Sequence, residues 1–71
     1  MKNMRVINEK VNYFFNKKTK VHIEISSKRF YNGNIISIQK GKEFLVLIDD
    51  KLGEVPVMFE EIETIEPFVG G

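Results

Sequence analysis

Seventy-one residues with a formal charge of +1 make one domain, near the lower size limit for folding alone. The absence of cysteine and the single histidine, His22, exclude disulfide staples, thiolate metal sites and the common zinc ligand sets, so no cofactor is expected. The longest apolar run, Phe44–Ile48, is far too short to span a membrane, and the charged N-terminus lacks the apolar core of a secretion signal. A cytoplasmic protein with no membrane partner is the expectation.

A chain this short draws about 3–5 kcal/mol from its core, and association with further subunits is the support left open to it. The charge is unevenly spread. Residues 1–42 carry ten basic side chains against Glu9 and Glu24, and residues 43–71 carry Lys51 against eight acids. Such asymmetry fits either a nucleic-acid face or pairing of the two halves with each other or with a neighbouring subunit.

Met4, Ile7, Val11 and Phe14, with Phe15 alongside, follow the three-four spacing of one helical face, which predicts a helix over about residues 2–16. Asn16, Lys17 and Lys18 suit its C-terminal end. Lys2, Arg5, Lys10, Lys17 and Lys18 would form a basic face on this helix. The period then changes to two. Val21, Ile23 and Ile25 alternate with His22, Glu24 and Ser26, as in a half-buried strand. Polar Ser26–Arg29 and Asn32-Gly33 are both candidate turns, and Asn-Gly is the stronger short-range hairpin signal. Tyr31 to Ile38 reads as a second strand and Phe44–Ile48 as a third, guarded by Glu43 and Asp49-Asp50. Asp50-Lys51-Leu52-Gly53 fits a type I turn. Val55, Val57 and Phe59 alternate again, Ile62 and Ile65 lead to Pro67, and residues 68–71 form a tail. One helix followed by five short strands over about residues 20–67 is the pattern of a small barrel.

The spacing around Gly33 is more specific. Ile23, Ile25, Tyr31, Gly33, Ile35, Ile38, Phe44 and Val46, and then Val55, Val57, Ile62, Ile65 and Pro67, resemble the two sequence segments of the Sm and Sm-like (LSm) family, including bacterial Hfq. The resemblance covers about residues 4–67. It implies an all-β, SH3-like barrel of five strongly bent antiparallel strands with an N-terminal helix. The turn would then fall at Ser26–Arg29, and Gly33 would sit at a bend inside the second strand. The resemblance further implies a homo-oligomeric ring, hexamer or heptamer, in which the fourth strand pairs with the fifth of the next subunit. Val55, Val57, Phe59, Ile62 and Thr64 would lie at that interface.

By the same resemblance, single-stranded RNA would meet Gln39, Lys40, Lys42, Glu43, Met58, Phe59 and Glu60. The family's usual Asp and Asn in the first segment are here Gln39 and Glu43, and its Arg-Gly or Tyr-Lys-His is replaced over Met58-Phe59-Glu60. Its usual Asn before the last strand is Glu61. Carboxylates there supply negative charge where a phosphate backbone needs cations, so the standard uridine pocket does not carry over. Phe59 could stack a base, and Lys40 and Lys42 could reach phosphates. The alternative is a protein-interaction barrel with no nucleic-acid role. Enzyme chemistry is not expected, because His22 has no matched nucleophile and adjacent Asp49 and Asp50 would point to opposite faces of a strand.

Overall fold

The computed structural model describes residues 3–39, 41 and 43–70. Helix α1 spans Met4–Lys17 and starts two residues later than its periodicity predicts. The cause is Asn3, whose side-chain oxygen accepts the Arg5 and Val6 amides and so caps the first turn. At the other end Lys18 takes a left-handed conformation (φ 56°), and the Lys18 and Thr19 amides return to Phe15 and Phe14. Ile7, Val11 and Phe14 are buried, as their spacing requires.

Five strands follow: β1 Val21–Ile25, β2 Phe30–Gln39, β3 Phe44–Asp49, β4 Gly53–Met58 and β5 Ile62–Pro67, with a 3-10 turn at Phe59–Glu61. They form one antiparallel sheet in the order β4-β3-β2-β1-β5. The sheet is open, with β4 and β5 at its two ends. Helix α1 packs on β2, β5 and the 3-10 turn. Its apolar stripe completes a core with Val21, Ile23, Ile35, Leu45, Leu47, Val57, Phe59, Ile62 and Ile65.

The chain reverses at Ser26–Arg29, where Lys28 adopts φ 68° and its amide reaches the Ile25 carbonyl. Asn32-Gly33 is therefore not a turn. Gly33 lies buried inside continuous β2, opposite Val21 on one side and Asp49 on the other. Tyr31 is half-buried and Ile35 buried on either side of it.

Gly33 has no positive φ; what it supplies is space, because a Cβ at this position would collide with the Ile48 carbonyl of β3. The irregularity in β2 lies further on, where its register with β3 shifts between Ile35 and Ser37. The tail is also shorter than expected. The Phe68 amide donates to the Lys20 carbonyl at 2.8 Å, and the Lys20 ammonium sits 4.4 Å from the centre of the Phe68 ring.

Asp49 is the buried charged residue of the described core, at 9% exposure. Its carboxylate accepts the Asn32 amide across the sheet and the Lys51 and Leu52 amides of the β3–β4 turn, each at 2.9 Å. Those three donors hold its pKa below the ordinary 3.8, the Leu52 amide most strongly, against the opposing effect of burial. Asp49 thus fixes a turn to a neighbouring strand, a role beyond that of a gatekeeper.

Candidate assembly and nucleic-acid interface

Most of the residues that the resemblance points to for RNA come from two stretches far apart in sequence, and the sheet brings them to one end. Register pairs Gln39 with Phe44 and Phe44 with Met58. The Glu43 amide donates to the Gln39 carbonyl at 3.0 Å, and the Glu43 carbonyl accepts the Phe59 amide at 2.9 Å. Gln39, Glu43, Met58 and Glu60 are exposed there. Lys40 and Lys42 lie outside the described residues.

Phe59 does not fit a stacking role. Only 3% of it is exposed, and it belongs to the core. The reason is the alternation that made it visible: Val57 and Phe59 share the inward face, which the helix closes. With Phe59 inside, this end presents Glu43, Glu60 and Glu61. Carboxylates there repel phosphates.

Part of the basic helix face is engaged within the chain. Lys10 bridges to Glu66 at 3.2 Å, and Arg5 to Glu9 on the next turn at 3.4 Å. Lys17 lies 5.9 Å from the Tyr13 ring centre, and Lys18 closes the helix through its backbone amide. Beyond the helix, Lys20 meets Asp50 at 2.7 Å. Lys2 lies outside the described residues. The contacts Lys10–Glu66 and Lys20–Asp50 join the basic half of the chain to its acidic half, so part of the charge asymmetry is settled within the molecule.

The expected interface residues divide in two. Val57, Phe59 and Ile62 are buried within the chain's own core and cannot offer side chains to a neighbour. Val55 is half-buried and Thr64 exposed. What the two end strands do offer is backbone. The Phe59-to-Glu43 bond continues the β3–β4 register, in which residue numbers of opposed pairs change together. Because hydrogen-bonded and non-bonded pairs alternate in an antiparallel ladder, Val57 and Val55 face β3, and Glu54, Pro56 and Met58 turn their backbone groups to the open edge. Pro56 therefore loses no bond within the chain. On β5, the Phe68-to-Lys20 bond continues the register with β1; Ile65 and Pro67 then face outward. Each open edge carries a proline at an outward position, a common means of blunting an edge. The register with β3 decides which side the missing N–H of Pro56 faces.

Two other features need placing. His22 is half-buried on β1, hydrogen-bonded through Nδ1 with Asn32 and 3.3 Å from Glu24 through Nε2, with its ring centre 5.3 Å from that of Phe30. A groove of about 600 Å³ runs between α1 and β5, lined by Val6, Ile7, Lys10, Thr64 and Ile65 among others. No α-helix among the described residues is long and apolar enough to cross a membrane, and no group of histidines and carboxylates among them could hold a metal ion. Comparison with protein-family models, characterised proteins and solved structures finds no match to this chain.

Proposed function

We propose that the chain is an Sm-like barrel that assembles with copies of itself through its two open sheet edges and acts as an RNA-linked scaffold. The observation that carries this reading is the strand order β4-β3-β2-β1-β5, behind an N-terminal helix. It leaves at opposite ends of one sheet the two strands that join neighbouring subunits in Sm-like rings. An open sheet with two edges seeks partners, and a chain this small gains most from finding one. Light scattering behind gel filtration is the test. A mass of six or seven times 8.3 kDa is expected, and a single-chain mass at micromolar concentration refutes the assembly.

The RNA part rests on the meeting of the β2–β3 loop with the 3-10 turn at one end of the barrel. Six or seven copies of Glu43 and Glu60 around a ring would repel a phosphate backbone at the family's pocket, so contact must come from elsewhere on that end, with Lys40 and Lys42 the cations in reach by sequence. Labelled oligo-U, oligo-A and a structured RNA titrated at two salt concentrations decide it. Saturable binding that weakens steeply with salt and falls on Lys40→Ala/Lys42→Ala supports RNA contact. A ring that binds none of them at low salt is a protein-interaction barrel.

A further inference from the structure

Two local irregularities meet between the end of α1 and β2. At the helix end Lys18 adopts φ 56°, and its carbonyl accepts the Asn34 side-chain amide from β2 at 3.5 Å. In β2 the register with β3 shifts between Ile35 and Ser37, so Ile36 has no partner on β3 and stands 47% exposed. Between them lies a pocket of about 520 Å³, lined by Phe15, Asn16, Lys18, Asn34, Ile35 and Ile36. β2 is the central strand, so the pocket lies away from both open edges of the sheet.

The lining combines three kinds of surface. Half-buried Phe15 and exposed Ile36 are apolar. Asn16 and Asn34 carry carboxamides, and Lys18 carries the one charge; none of the six residues is acidic. Arg5, Lys10 and Lys20 each pair with a carboxylate, and Lys17 lies beside Tyr13. Lys18 has no ion pair of this kind among the described residues. Its carbonyl, at the negative end of the helix dipole, is engaged by Asn34. We propose that this pocket binds a small aryl carboxylate, whose carboxylate pairs with Lys18 and whose ring covers Phe15 and Ile36. Apolar walls with a few polar groups are the usual make-up of a small-molecule site, and the volume falls within the usual range. One cation matches one negative charge, whereas a phosphate would bring a second charge without a counterpart. The site does not depend on assembly.

Phenylacetate, acetate and benzyl alcohol, each titrated into the intact chain and followed by amide NMR, test the proposal. Phenylacetate should give saturable shifts centred on Asn16, Lys18, Asn34, Ile35 and Ile36. Acetate lacks the ring and should bind roughly tenfold more weakly. Benzyl alcohol lacks the charge and should bind roughly two- to fivefold more weakly. Lys18→Gln should weaken phenylacetate by that same roughly two- to fivefold and leave benzyl alcohol unchanged. Ile36→Ser should weaken both aromatic probes. Both substitutions fall at exposed positions, and thermal melts check that each variant keeps the fold. Shifts that do not saturate or that centre elsewhere overturn the site. Acetate binding as tightly as phenylacetate overturns the ligand class, and phenylacetate affinity unchanged in Lys18→Gln overturns the role of the cation.

Discussion

Replacing Asp49 by alanine removes the acceptor of three backbone amides at once. A hydrogen bond to a charged acceptor contributes about 1.5–3 kcal/mol when shielded from water. The Asn32 amide lies on a strand paired on both sides, where water has little access, so it should cost near that range. The Lys51 and Leu52 amides belong to an exposed turn, where water replaces much of what is lost. The expected total is about 3 kcal/mol, comparable to the about 3–5 kcal/mol that a core of this size supplies. Thermal unfolding followed by circular dichroism should show a midpoint lowered by roughly 12–24 °C. Asp49→Asn keeps one oxygen, which can serve Asn32 or the turn but not both, so about half the loss is expected. The carboxylate pKa is lower folded than unfolded, so its contribution is present above the ordinary 3.8 and fades as pH falls through the folded value. The gap between the intact protein and Asp49→Asn should therefore narrow in acid. A midpoint for Asp49→Ala within 2 °C of the intact protein, or a gap that widens below pH 4, would refute the reasoning.

Gly33→Ala should destabilise by about 3 kcal/mol or more, since its methyl group meets the β3 backbone rather than a side chain that could move; an intact cooperative melt near that of the original chain would contradict the packing described. Asn3→Ala should cost about 1 kcal/mol through loss of the helix cap, and Asn3→Asp should restore it, both read by urea denaturation. A double-mutant cycle on Lys10 and Glu66, both substantially exposed, should return a coupling below about 1 kcal/mol that shrinks further in salt. A large, salt-independent coupling would mean that the bridge is shielded from water.

The element order was legible from the residues alone because periodicity is a local property. Ile7, Val11 and Phe14 declare a helical face, and Val21, Ile23 and Ile25 a half-buried strand. The choice of Ser26–Arg29 over Asn32-Gly33 as the turn came only from the resemblance, because local turn chemistry favours Asn-Gly. The candidate site was legible only through resemblance, since nothing local links Gln39 and Glu43 to Met58. Tertiary structure alone settled the reasons behind single residues. Gly33 is required by the Ile48 carbonyl, fifteen positions away along the chain. Asp49 is required by the Asn32 amide on another strand. Phe59 alternates as a surface or a core residue would, and α1 makes it core by closing the inward face. Pro56 is harmless or disruptive according to which way its nitrogen points, and that depends on the register with β3. Periodicity records which side chains share a face; what that face meets, and at what distance, is decided by strands that are neighbours in space and strangers in sequence.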